Sequence, residues 1–231
     1  MKTIGLLGGM TWHSTIEYYR LFNELINKKA GGINAAKVLL YSFNFKDLRD
    51  WQTSDTDFLA EQLAKQAKKL EQAGADIILI GANTMHEYYP QVKSGLNIPV
   101  LHIADAVGQS IVDAKLKKVL LLGTKYTMQG DFYKNKLAEY GIETVVPNME
   151  EQKIVNDIIY NELTFGKILD SSRLAYLKII EKIEQEEHIE GIILGCTEIP
   201  LLIKQNHTKL KVFDTTEIHA LSAVDFALEN K

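Results

Sequence analysis

Short apolar runs alternate along the chain with longer stretches in which apolar and polar positions recur at helical spacing. This is the pattern of an α/β protein with a largely parallel sheet. The runs predict strands at Thr3–Leu7, Lys37–Phe43, Asp76–Ile80 and Pro99–His102, and a second set at Lys118–Leu122, Glu143–Val145, Gly191–Leu194 and Lys211–Phe213. Helices are expected at Thr15–Lys28, Asp57–Ala73, Ala104–Ala114, Gly130–Tyr140, Ser171–Glu186 and Glu217–Glu229, with a short one over Asn156–Leu163 that ends near Gly166. Ser14 and Asp55 stand where N-terminal caps belong. The segment Phe45–Thr56 (FKDLRDWQTSDT) reads as a polar loop with two aromatics, either a lid or a plain solvated connection. The β-loop-α order sets the informative loops at the carboxyl ends of strands, where open α/β sheets bind ligands.

The chain also repeats itself. Lys2–Met10 (KTIGLLGGM) is echoed by Lys118–Met128 (KVLLLGTKYTM), and Ala75–Pro90 (ADIILIGANTMHEYYP) by Glu190–Pro200 (EGIILGCTEIP). Pro99–Ala106 is echoed more weakly by Lys211–Ala220, and the interval from Gly8 to Ala82 matches that from Gly123 to Cys196 to within one residue. Matched strand-turn-helix units imply two pseudo-symmetric lobes, each a mostly parallel sheet flanked by helices, with the active site in the cleft between them. Lys93–Asn97 is the expected boundary. The first lobe is expected over residues 1–98 with 210–231, the last helix returning to it, and the second over 99–209. At the tip of the second copy sits Cys196, the only cysteine of the chain; the tip of the first carries Ala82.

Composition narrows the classes. A chain of 231 residues, 46% hydrophobic and 24% charged, is ordinary for a soluble globular protein. A net charge of −4 without a Lys/Arg cluster argues against nucleic acid. No uncharged apolar stretch is long enough to span a membrane, and the short apolar N-terminus, broken by a glycine pair, reads as the first strand rather than a signal peptide. A lone cysteine permits a cytoplasmic location, and the six histidines fall in no metal-ligand pattern.

Several residues at strand ends can carry chemistry. Cys196 follows an apolar strand and Gly195 and precedes Thr-Glu-Ile-Pro, which reads as a helix opening. A thiol there is expected to feel the helix dipole and to ionise more easily; the alternative is a small apolar filler. Asn83 and Thr84 suit a carboxylate, as do Thr124 and Thr127 in the second copy; capping and turn roles are the alternative for each pair. Gly8-Gly9-Met10 is not a phosphate-loop motif, and its glycines allow close backbone approach to a small ligand. His86 and His102 follow two strand ends, as titrating groups near the cleft or as hydrogen-bonded structural residues. Glu198 is expected in a first helical turn, favoured by the dipole alone.

GLLGGM, NTMH, HIADA, GTKYTM, GCTEIP and VFDTTEIHA, in this order over essentially the whole chain, resemble the cofactor-independent aspartate/glutamate racemase family. The resemblance implies two pseudo-symmetric α/β lobes, a homodimer and an amino-acid substrate. It also implies PLP-independent chemistry in which one thiolate removes the α-proton while a thiol on the opposite face returns one. Carried over, Cys196 matches the second catalytic thiol and Ala82 falls where the first stands. Met10, Gln52, Asn83, Thr84, Thr124, Thr127, Thr197 and Glu198 match substrate contacts. Arg49, in the expected lid, is the candidate for the side-chain carboxylate of aspartate or glutamate.

Alanine offers no proton, and losing one positioned acid or base costs about 10²–10⁴ in rate. Four readings follow: a racemase with a weak substitute donor (water, Thr84 or His86), a one-base decarboxylase-like relative, an amino-acid binder, or an engineered substrate-trapping variant. The first is the expectation, with weak or one-sided activity.

Overall fold

Eight strands form two four-stranded parallel sheets in the computed structural model, which describes residues 1–229. The first sheet holds β1 (Ile4–Gly8), β2 (Val38–Ser42), β3 (Ile77–Ile80) and β4 (Val100–Leu101) in the order β2-β1-β3-β4. The second holds β5 (Lys118–Gly123), β6 (Glu143–Val145), β7 (Gly191–Gly195) and β8 (Lys211–Asp214) in the order β6-β5-β7-β8. The helices are α1 (Trp12–Ala30), α2 (Phe45–Ser54), α3 (Thr56–Gln72), α4 (Tyr89–Ser94), α5 (Ile103–Asp113), α6 (Lys125–Gln129), α7 (Asp131–Ala138), α8 (Met149–Asn161), α9 (Asp170–Glu187), α10 (Ile199–Leu202) and α11 (Thr215–Leu228).

The chain divides into two units, Met1–Ile103 with Thr216 onward, and Ala104–Thr215. Both crossings fall a few residues later than the sequence suggests. The reason is strand pairing: β4 pairs with β3 and β8 with β7, so each sheet keeps its fourth strand. Lys93–Asn97 therefore lies inside the first unit.

In the first unit, side chains alternate across the sheet. Leu7, Ile78 and Ile80 face a core shared with Leu48, Leu59, Leu63 and Val92. Leu6, Ile77 and Leu79 face Tyr18, Phe22 and Ile26 of α1 and Ala220, Ala223 and Val224 of α11. That two-residue alternation, with both faces apolar, is why the strands read as unbroken hydrophobic runs. In the second unit, Leu120, Leu122, Ile192 and Leu194 pack on Val155 and Ile159 of α8, Tyr176 and Ile180 of α9, and Ile199 and Leu202 of α10.

The repeat seen in the sequence is a repeat of hydrogen bonds as well. Just before β3, the Asp76 carboxylate accepts from the Thr3 amide at 2.6 Å; just before β7, Glu190 accepts from the Lys118 amide at 3.0 Å. Each acidic residue pins the start of its central strand pair.

Some local expectations need correction. Phe45–Ser54 is a helix, α2, not a loop: Asn44 caps it, accepting from the Lys46 amide, Lys46 pairs with Asp50 one turn on, and Leu48 is fully buried. Helix α1 begins at Trp12 with Thr11, not Ser14, as its cap. Asp55 does cap α3, accepting from the Phe58 amide at 2.9 Å. Helix α8 starts at Met149, well before Asn156, because Asn148 and Glu151 form a reciprocal capping box.

Candidate active site

The second unit places its candidate residues at the paired ends of β5 and β7. Gly123 and Gly195 face one another in register, so the loops that follow them start side by side. A Cβ on Gly195 would lie 3.0 Å from the Leu122 carbonyl oxygen and 2.8 Å from a Leu121 methyl, so this approach requires glycine. After Gly123, Thr124 caps α6: its hydroxyl accepts from the Thr127 amide at 3.3 Å and lies 3.2 Å from the Thr127 hydroxyl. Both threonines are buried.

After Gly195 comes Cys196, only 9% exposed. Its thiol donates to Oε2 of Glu198 at 3.1 Å, and the Thr197 hydroxyl donates to the same oxygen at 2.7 Å. Glu198 is itself buried, at 4% exposure. Burial first, and the adjacent Glu198 carboxylate second, push the Cys196 thiol well above its usual range. The expectation of an easily ionised thiol is therefore overturned. Helix α10 is a four-residue turn that begins three residues further on, and desolvation outweighs its dipole.

The first unit repeats this geometry with different chemistry. The Gly81 amide donates to the Leu7 carbonyl at 2.8 Å, bringing the Gly8–Met10 turn beside Ala82–Thr84. Met10 and Asn83 are buried, while Ala82 and Thr84 are half-buried. Ala82 follows Gly81 as Cys196 follows Gly195, so the methyl group and the thiol hold equivalent places. On α2, Gln52 is half-buried, and its Nε2 lies buried with no hydrogen-bond partner among the described residues. Arg49 stands exposed on the same helix.

Both strand-end histidines are buried and belong to one aromatic group. His86 and His102 have ring centroids 4.7 Å apart, and His219 of α11 lies 5.7 Å from His86. The partners of His86 fix its protonation. The Ile103 amide can only donate, and does so to Nε2 at 3.1 Å; the Ala82 carbonyl can only accept, from Nδ1–H at 2.9 Å. In His219, Nε2–H donates to the Leu101 carbonyl at 3.1 Å, and Nδ1 lies 2.9 Å from the Tyr18 hydroxyl. Burial, reinforced by the neighbouring ring, pushes each down to about 3. His86 thus has no proton to exchange near neutral pH and is not a substitute acid.

The structure gathers Met10, Ala82, Asn83 and Thr84 at one set of strand ends, and Thr124, Thr127, Cys196, Thr197 and Glu198 at the other. Sequence reasoning assigned Glu198 a dipole role and missed its contact with the thiol. The Cys-Thr-Glu spacing is the signal that could have found it. It also missed the tie from His86 to the backbone of Ala82, which four residues of separation hinted at.

Comparison with known proteins identifies the family. The profile of the Asp/Glu/Hydantoin racemase family matches residues 7–223, so the chain belongs to that family and is an isomerase of the racemase type. It is 27% identical to the broad specificity amino-acid racemase RacX of Bacillus subtilis over 224 residues, covering 96% of each chain. Among solved structures, it superposes on a candidate Asp/Glu racemase from Yersinia pestis with a TM-score of 0.93 and 42% identity, covering 99% of this chain and 100% of that one. An aspartate racemase homologue from Pyrococcus horikoshii gives 0.88 and 41%, with the same coverage.

Proposed function

We propose that the protein acts on aspartate and/or glutamate without PLP, with Cys196 as its one thiol acid/base and with the opposite acid/base absent at Ala82. The observation that carries this reading is the buried Cys196–Glu198 hydrogen bond at a strand end whose counterpart in the other unit holds a methyl group. Glu198 accepts the thiol proton, and the thiolate removes the substrate α-proton to leave a carbanion stabilised as its enediolate. Return of a proton from Cys196 to the same face exchanges the α-hydrogen without inversion. Inversion needs a proton from the Ala82 face, where water is the available donor, and is slower by about 10²–10⁴ than with a positioned thiol.

Met10, Asn83, Thr84, Thr124, Thr127 and Thr197 are the proposed substrate contacts, together with Gln52, whose unpartnered buried amide suits a carboxylate, and Arg49. The relatives named as amino-acid or aspartate racemases support this substrate class. A homodimer belongs to the same reading, supported by the apolar stripe Trp12, Ile16 and Tyr19 on α1, at 60%, 56% and 57% exposure.

The test is proton NMR of L-aspartate and L-glutamate in D₂O, with chiral chromatography of the same samples and Cys196→Ala as control. Loss of the α-proton signal well ahead of D-isomer formation, abolished in Cys196→Ala, is the expected result. No exchange in either amino acid would overturn the proposal.

A further inference from the structure

The two repeats hold their equivalent carbonyls by different means. In the second unit, the Cys196 carbonyl accepts from the backbone amide of Ile199 at 3.1 Å, an ordinary turn. In the first, the Ala82 carbonyl is held by a side chain, the Nδ1–H of His86 at 2.9 Å. The ends of the outer strands differ likewise. The Thr215 hydroxyl, just beyond β8, donates to the Leu194 carbonyl of β7 at 2.9 Å. The Ile103 amide, just beyond β4, is instead received by Nε2 of His86 at 3.1 Å. One buried imidazole thus joins the Ala82 carbonyl to the Ile103 amide, a link that the twin does not make through a side chain at the Cys196 carbonyl.

We propose that His86 is a positioning residue of the first unit, clamping the Ala82 backbone to the start of α5 and so setting where the side chain at position 82 points. The geometry supports this on three counts. Both nitrogens are committed in fixed roles, so the ring cannot turn over without breaking both bonds. The ring is packed against His102 and His219, which removes its remaining freedom. Its neutral form also leaves it no acid or base task. A misplacement of about 1 Å at a reacting group costs on the order of 10²-fold in rate, so a clamp at this carbonyl has a large effect to govern.

The proposal rests on the thiol-based reading of the site, and its test separates the two. Asn and Gln replacements of histidine are both polar and of similar size, but they place an amide differently. His86→Asn sets its N–H near the Nδ1 position and keeps the Ala82 bond; His86→Gln reaches toward the Nε2 position and keeps only the Ile103 bond. Each is made in an Ala82→Cys background and assayed for inversion of aspartate and glutamate. His86→Asn is expected to retain most of the kcat gained by Ala82→Cys. His86→Gln is expected to lose about 10- to 100-fold in kcat with KM nearly unchanged.

A second readout does not depend on turnover. In Ala82→Cys/Cys196→Ala, the pH profile for alkylation of the single introduced thiol is compared with and without each His86 replacement. A profile shifted by Gln and preserved by Asn supports the clamp, even if Ala82→Cys brings no inversion and the racemase reading fails. Identical alkylation profiles and identical kcat for the two replacements would overturn it.

Discussion

Sγ of Cys196 and Oε2 of Glu198 lie 3.1 Å apart in a buried pocket of polar atoms that also includes the Thr197 hydroxyl. The thiol therefore rests protonated and donates to the carboxylate that must receive its proton before it can act as a base. Glu198→Gln removes the negative charge that opposes ionisation, so the thiol pKa falls although the acceptor of its proton is lost. The iodoacetamide alkylation profile of Cys196 should shift to lower pH, while α-proton exchange drops by about 10²–10⁴. If both stay at wild-type values, Glu198 is only a capping residue.

Ala82 and Cys196 occupy equivalent places after Gly81 and Gly195, so the simplest restoration is Ala82→Cys. A thiol at that strand end supplies the acid missing from the second face. The ratio of inversion to exchange, measured by chiral chromatography against deuterium incorporation, should rise by about two orders of magnitude or more. An unchanged ratio would mean that the first unit's strand end does not face the substrate α-carbon.

Much of this arrangement could be read from the chain because it depends on local pattern. All eight strands fall where they are predicted, and the central strands β1, β3, β5 and β7 read most plainly because both their faces are covered and their apolar runs are uninterrupted. The repeat in sequence reappears as identical strand order in the two sheets. What escaped was set by contacts distant in sequence or by polar detail. Helix α2 is mostly polar, and its anchor is the single buried Leu48. The ionisation of Cys196 depends on how deeply the fold buries it, which a neighbouring-residue argument about dipoles cannot supply. His86 meets Ile103 only after β4 has paired with β3.

The stripe Trp12, Ile16 and Tyr19 follows an i, i+4, i+7 spacing on the exposed side of α1. A charge at its centre should disrupt self-association without touching the core. Ile16→Lys is expected to convert a dimer into a monomer in sedimentation velocity while leaving circular dichroism unchanged. A wild-type protein that sediments as a monomer at micromolar concentration would remove the basis for the dimer.

Gly9 has φ of +81°, and a Cβ built on it would lie 2.1 Å from the Phe43 carbonyl oxygen and 2.4 Å from the Phe43 nitrogen. These are backbone atoms just beyond β2 and cannot swing aside. Strain from the positive φ adds to the overlap, so Gly9→Ala should cost about 3 kcal/mol or more. For a chain of this length that lowers Tm by roughly 6–12 °C in a thermal melt. A shift of a degree or less would contradict the close approach of the β1–α1 turn to Phe43.

His86 and His219 are neutral in the folded protein, each held down to about 3 chiefly by burial. In the unfolded chain a histidine titrates near 6.5. Between these values the unfolded state binds the extra proton, so the contribution of each ring is fully present above about pH 6.5 and declines as pH falls toward 3. Going from pH 7 to pH 5 should remove about 2 kcal/mol per ring. Glu71 and Glu190 are held below the usual carboxylate range, so their losses come at lower pH and leave this window to the histidines. His219→Gln reaches toward the Nε2 position and can still donate to the Leu101 carbonyl, but it has no proton to take up. Urea denaturation at pH 7 and pH 5 should therefore show a loss of stability in the wild type that is roughly halved in His219→Gln. Equal losses in the two proteins would place the acid sensitivity elsewhere.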